Sequence, residues 1–144
     1  MDNNFTEDIN HIVVLKSIPI FRDLDVETLY QVFKISRYIK MAKGEVIAKK
    51  GERGDTLYIL LEGEAGVYLR DDADCQITIG PGEILGELSI VDKKERTATI
   101  RPLKETLLLE FNGDEFISLL RENATISFSM LKTLAGRLRI MLES

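Results

Sequence analysis

One cysteine, one histidine, three prolines and no tryptophan stand in a chain of 144 residues. A lone Cys75 cannot close an internal disulfide, which fits a reducing compartment, and the cytoplasm is the expected location. One histidine and one cysteine, far apart in sequence, exclude a histidine-rich metal site. His11 reads as a surface or packing residue of an N-terminal helix. Cys75, beside Asp74 and ahead of an apolar run, reads as an inert thiol. No nucleophile–base pair is present, so the expectation is a protein without catalytic residues, not an enzyme. No apolar run nears the ~20 residues a membrane-spanning helix needs. The longest, 12–15 and 57–61, are strand- or turn-sized, so no membrane insertion is expected. The N-terminus MDNNFTEDIN is acidic and polar, unlike a signal peptide. Positive charge is also short: 19 Lys and Arg against 24 Asp and Glu give a net charge of −5. That weighs against nucleic acid as a partner, since phosphate backbones are bound by basic surfaces. A local arginine with a few aimed N–H groups can still hold one small anion.

What remains is a composition suited to a single core: 44% hydrophobic and 30% charged residues. The chain reads as one domain over 1–144 in three zones. Residues 1–40 form a helical lead-in. In 25-DVETLYQVFKIS-36, Val26, Leu29, Val32, Phe33 and Ser36 recur at helical spacing, with Asp25 placed to cap. The stretch 15-LKSIPIFRDL-24, with Pro19, reads as a turn between helices.

Residues 41–112 consist of short apolar runs punctuated by glycine. The runs 45–50, 56–63, 65–70, 75–80, 97–102 and 106–111 have strand length and turn-like borders, and Asp71 to Asp74 reads as a hairpin loop. Asp71, Asp72 and Asp74 lack the glycine and distal glutamate of a calcium loop. The glycines of 80-GPGEILG-86 have the wrong spacing for a dinucleotide loop and read as turn residues. Residues 113–144 return to helix, with Asn123 to Thr125 capping the last one. There Leu131, Leu134, Leu138 and Met141 repeat at coiled-coil spacing, a stripe that most often packs on its own domain. The fold class read from these runs is mainly β with flanking α-helices, an antiparallel sandwich or small barrel.

The informative stretch is 86-GELSIVDKKERTATI-100. Gly86 opens a segment, 87–91, that can form one helical turn with its free N–H groups exposed at its start. Arg96, nine positions after Glu87, stands at the seam between a polar loop and a strand. Two readings fit these residues equally. One is a nucleotide site: a guanidinium and N–H groups for a phosphate, and a carboxylate to accept a hydroxyl proton. The other is a structural Glu–Arg ion pair at a turn.

This stretch resembles the phosphate-binding cassette of cyclic-nucleotide-binding domains, roughly Phe-Gly-Glu-Leu-Ala-Leu, a short loop, then Pro-Arg-Ala-Ala. The resemblance extends over nearly the whole chain: 18-IPIFRDLD-25, the glycine pattern of 44-GEVIAKKGERGDTLYILLEGEAGVYL-69, 81-PGEILGEL-88 and 128-FSMLKTLAGRLR-139. It implies an antiparallel β-roll or jelly-roll barrel with N-terminal and C-terminal helices, a cassette over 82–100 and a ligand, cAMP or cGMP with cAMP favoured, but no resident cofactor. It implies that Glu87 accepts the ribose 2′-hydroxyl and Arg96 pairs with the cyclic phosphate. The backbone at Gly86, Leu88 and Ser89 would donate to phosphate or sugar. Thr97 and Ala98 would line the phosphate side, with Thr97 in reach of a purine edge. Three departures stand out. Leu85 replaces an aromatic, Glu95 replaces a proline, and the chain given stops at Ser144 without a DNA-reading module. The expectation is a regulatory domain with a protein effector on another chain and room for a homodimer through the C-terminal helix. The alternatives are an interaction or scaffold domain that binds no nucleotide, or a regulatory piece of a larger protein.

Overall fold

The computed structural model describes residues 3–70, 74, 75 and 77–143. By Cα proximity the chain divides into two compact units, Met1–Lys34 with Ser118–Ser144, and Ile35–Ile117.

The first unit is helical. Helix α1 (Asn3–Ser17) is followed by a single 3-10 turn at Pro19–Phe21 and by α2 (Val26–Ile35). Proline opens the 3-10 turn, where its missing N–H costs nothing. Ile18, Ile20, Phe21 and Leu24 around it are all buried. Asp25 caps α2 as its sequence position implies: its Oδ1 accepts from the Thr28 N–H at 2.8 Å. The last helix, α5 (Ala124–Glu143), packs on the 3-10 turn and buries Ile126 and Met130. Asn123 caps it, accepting from the Ile126 N–H at 3.1 Å. Within the leucine stripe of α5, Leu134 is half-buried, while Leu131, Leu138 and Met141 are exposed, together with Phe128, Ile140 and Leu142.

His11 of α1 is a packing residue. It is buried and meets the Phe33 ring of α2 edge-on at 4.9 Å. Burial pushes the imidazole below its ordinary 6.5, against a smaller upward pull from Asp8. The unfolded chain therefore takes up the proton first. The stability His11 contributes is complete above 6.5 and declines as pH falls below it, until the lower folded-state value is reached. The wild type should lose melting temperature between about pH 7 and about pH 5.5 that a His11→Gln variant keeps. Parallel melting curves with one slope would show that His11 is not held neutral.

The second unit is a pair of antiparallel sheets. The strands are β1 (Ser36–Met41), β2 (Thr56–Glu62), β3 (Ala65–Tyr68), β4 (Ile77–Ile79), β5 (Ile84–Leu85), β6 (Thr99–Pro102) and β7 (Thr106–Asn112). A four-stranded sheet runs β1-β7-β2-β5 and a three-stranded one β4-β3-β6. Leu60, Leu85 and Leu108 from the first sheet meet Ala65, Ile79 and Ile100 from the second, with Ile47 and Ala48 completing the cluster. Each large side chain so buried contributes about 1.5–3 kcal/mol relative to exposure. Helix α3 (Glu87–Asp92) lies between β5 and β6 in sequence, and α4 (Gly113–Glu122) leaves β7 with Phe116 packed against Phe111 at 5.2 Å.

Four sequence expectations change. The helical lead-in ends at Ile35 rather than 40, because 36–41 pairs residue for residue with β7. A strand partner decides there, and the helical spacing of Ser36 is coincidence. Residues 45–50 form no strand but a loop with one bridge, Ala48 to Ile100. Their backbone pairs with β6 only around Ile100, and no second bridge follows to extend a ladder. Ile84 and Leu85, read as part of a turn, form β5 by pairing with Ile59 and Tyr58. Arg96 precedes the last cassette strand by three positions, since β6 starts at Thr99. The hairpin reading of Asp71, Asp72 and Ala73 lies outside the described residues.

Candidate functional site

Helix α3 forms where expected, and Gly86 makes it possible. Gly86 is its N-cap at φ +82°, ψ +10°, left-handed backbone that a side chain would strain. The six-residue helix turns Glu87, Ser89 and Ile90 inward and leaves Leu88 and Val91 exposed. It ends at Lys93, also left-handed at φ +60°, whose N–H returns to the Ser89 carbonyl. The loop that follows is pinned to residues 51–53. The Arg96 N–H donates to the Glu52 carbonyl at 2.8 Å, and the Gly51 N–H donates to the Arg96 carbonyl at 3.0 Å.

That backbone clamp aims the Arg96 side chain inward, where it is 91% buried (9% exposed). Its Nη1 donates to the Gly86 carbonyl at 3.1 Å and its Nη2 to the Thr56 carbonyl at 2.7 Å. Strands β2 and β5 pair at Tyr58–Leu85 and Ile59–Ile84. Thr56 and Gly86 lie just beyond that short ladder. The guanidinium thus bridges the two chains where backbone pairing has stopped, as a side-chain rung.

The slot has no spare width. A Cβ on Gly54 would stand 2.5 Å from Arg96 Nε and 2.7 Å from Ser89 Cβ. A Cβ on Gly86 would collide with Arg96 Nη1 and reach the Thr56 carbonyl oxygen at 3.0 Å. Burial lowers the guanidinium's pKa, and Tyr58, Asp55 and Glu87 pull it back up. Arginine stays charged through such shifts. A buried cation with acceptors on two sides, beside a buried glutamate, is suited to a small anion that carries hydroxyl groups.

Of the seven sequence-predicted site residues, the fold gathers Gly86, Glu87, Ser89, Arg96 and Ala98 as buried or half-buried groups. Leu88 and Thr97 are exposed. The next residue, Thr99, is buried and its hydroxyl accepts from the Lys50 N–H at 3.0 Å. Composition and spacing did not point to Gly54, Thr56 or Tyr58. Thr56 acts through its carbonyl, so its side chain carries no signal. Gly54 and Tyr58 stood inside the glycine pattern but without an assigned role. A cavity of about 380 Å³ borders the slot at Gly54 and is otherwise lined by residues such as Arg53, Asp55, Ile90, Lys93 and Asp114, and by none of the seven.

The cyclic nucleotide-binding domain profile matches residues 38–123, which takes in both sheets apart from the first two residues of β1, and α3 and α4. The chain belongs to the cyclic nucleotide-binding domain family. Within that family it is 30% identical over 129 residues to the CRP-like cAMP-activated global transcriptional regulator of Mycobacterium tuberculosis, covering 88% of this chain and 58% of that one. Among solved structures, cAMP-bound PfPKA-R superposes with a TM-score of 0.82 at 25% identity, over 99% of this chain and 49% of that one. The Thermus thermophilus catabolite activator protein gives 0.74 at 25% identity, over 85% and 59%. The chain spans from 7% to 59% of the length of the curated relatives it matches. The β-roll with N- and C-terminal helices is thus the fold of this cyclic nucleotide-binding domain. Among the described residues no helix is long and apolar enough to cross a membrane.

Proposed function

We propose that this domain binds a cyclic purine mononucleotide, cAMP in preference to cGMP, and acts as a ligand-responsive regulatory element without chemistry of its own. The observation that carries this is the buried Arg96 guanidinium, aimed by Gly86 and Thr56 and set beside buried Glu87. A cyclic phosphate is a monoanion, matched by one guanidinium. Glu87 accepts the ribose 2′-hydroxyl, so a 2′-deoxy analogue binds worse. Gly86, Leu88 and Ser89 donate backbone N–H groups, and Ala98 lines the phosphate side. Exposed Thr97 reaches the purine edge. The similar Mycobacterium tuberculosis regulator is named as cAMP-activated, and the similar PfPKA-R structure is cAMP-bound, which supports the ligand class.

Residues 1–144 work in this reading as one binding domain in the cytoplasm. Its output passes to a protein effector by population shift, limited by the ligand's differential affinity for two states. Exposed Leu131, Leu138 and Met141 offer a homodimer surface on α5. A second reading has its own observation: Arg96 already ties two strands, as it would in a scaffold domain that binds no nucleotide. Calorimetric titration with cAMP, cGMP and 2′-deoxy-cAMP separates the two, alongside melting curves. At ligand near 100 times Kd a binder gains about 2.7 kcal/mol of stability. An unchanged melting temperature in saturating cAMP and cGMP would leave the scaffold reading.

A further inference from the structure

The inner face of the four-stranded sheet is apolar along Leu60, Leu85 and Leu108. One cross-strand row breaks the pattern. Arg37 of β1 stands opposite Glu110 of β7, Glu110 opposite Tyr58 of β2, and Tyr58 opposite Leu85 of β5. Tyr58 and Glu110 lie two residues from the pair Leu60–Leu108, so strand alternation puts them on the same inner face. A carboxylate there is costly unless it is paired. The Glu110 side chain is 17% exposed and accepts two bonds on one oxygen, from Arg37 Nε at 2.8 Å and Arg37 Nη2 at 2.5 Å. The Arg37 side chain is 74% exposed, so the pair spans the sheet rim, with the carboxylate on the inner side beside Tyr58.

The row leads to Arg96. Tyr58 is half-buried, packs on the inter-sheet core, shares a hydrogen bond with the Thr56 side chain, and feels the charges of Glu110, Arg96 and Arg37. The two carbonyls that hold Arg96 bracket it. Thr56 precedes Tyr58 by two residues on the same face of β2, and Gly86 follows Leu85, the register partner of Tyr58.

We propose that Tyr58 is a positioning residue for Arg96, its hydroxyl steadied by the Glu110–Arg37 pair so that the guanidinium keeps one orientation toward a bound anion. This rests on Arg96 being the phosphate-binding group. A phenol oxygen accepts from a guanidinium while its O–H donates to a carboxylate. The series Arg96, Tyr58, Glu110, Arg37 can therefore be satisfied with both ends donating inward: Arg96 to the Tyr58 oxygen, and the Tyr58 O–H and Arg37 to the Glu110 carboxylate. A guanidinium has five N–H donors in a rigid plane, and two carbonyls already use it. Rotation of that plane misdirects the remaining donors, and a fixed third neighbour opposes rotation.

The test uses the full chain, labelled with nitrogen-15, and reads the Arg96 Nε–H signal by NMR, assigned by its disappearance in Arg96→Lys. Tyr58→Phe and Glu110→Gln are compared with the wild type. Tyr38→Phe, on the opposite face of β1, is the control. Without ligand, the Arg96 signal should shift and lose protection from solvent exchange in Tyr58→Phe and Glu110→Gln, and stay in place in Tyr38→Phe. In a wild type that binds cAMP or cGMP, Tyr58→Phe should weaken affinity about tenfold. An Arg96 signal unmoved by Tyr58→Phe overturns the proposal, and so does unchanged affinity in a protein that binds. If the wild type binds neither nucleotide, the binding reading fails and the ligand-free signal alone decides the role of Tyr58.

Discussion

Arg96→Ala should weaken cyclic nucleotide binding at least ~30-fold by calorimetry, because truncating one partner of a buried charge pair costs about 2–5 kcal/mol. The same change should also lower stability without ligand. Arg96 Nη1 and Nη2 serve the carbonyls of Gly86 and Thr56, and the truncation leaves both without these donors. An unsatisfied buried acceptor costs about 1–3 kcal/mol, so a fall in melting temperature of roughly 5 °C is expected. Arg96→Lys keeps the charge but not the planar fork that spans two carbonyls. It should recover part of the stability and little of the affinity. Binding of Arg96→Ala within threefold of wild type would remove Arg96 from the site, whatever happened to the melting curve.

Gly86→Val should be the most damaging single change in the cassette. Two costs add. At φ +82° an L-residue is strained by about 1–2 kcal/mol, more for a β-branched one. The new Cβ would also enter the Arg96 slot and stand 3.0 Å from the Thr56 carbonyl oxygen. Together these give a destabilisation of about 3 kcal/mol, a drop of roughly 10 °C in melting temperature, and loss of measurable binding. Gly44→Val is the matched comparison. Gly44 has a similar φ of +87° but nothing within 4 Å of its would-be Cβ. It should show the backbone cost alone and bind normally. Equal effects from the two variants would mean that the slot around Arg96 tolerates a side chain.

Much of the fold was legible because its signals are local. Asp25 and Asn123 cap the helices they precede, since the capping bond reaches only three residues along the chain. Helix α3 follows Gly86 for a reason equally local, the left-handed backbone that glycine takes without strain. The misreadings share one cause. Residues 36–41 and 84–85 are strands only because β7 and β2 lie beside them. Residues 45–50 carry strand-like composition but make one bridge, at Ile100, and no ladder. Pairing partners dozens of residues away leave no mark on a short stretch.

The site divides along the same line. The order of Gly86, Glu87 and Arg96, and with it the resemblance to a cyclic-nucleotide cassette, was present in the amino acids alone. So were the net negative charge, the lone histidine and the lone cysteine that narrow the chemistry. What only the folded chain decided is how Arg96 is held. Its anchors are main-chain carbonyls, whose positions depend on where β2 and β5 stop pairing and not on the residues that carry them. Sequence specifies side chains one position at a time. The Arg96 slot, the pinning of its loop by residues 51–53 and the row from Arg37 to Tyr58 are distances between separate strands, and those exist only once the sheets have closed on their core.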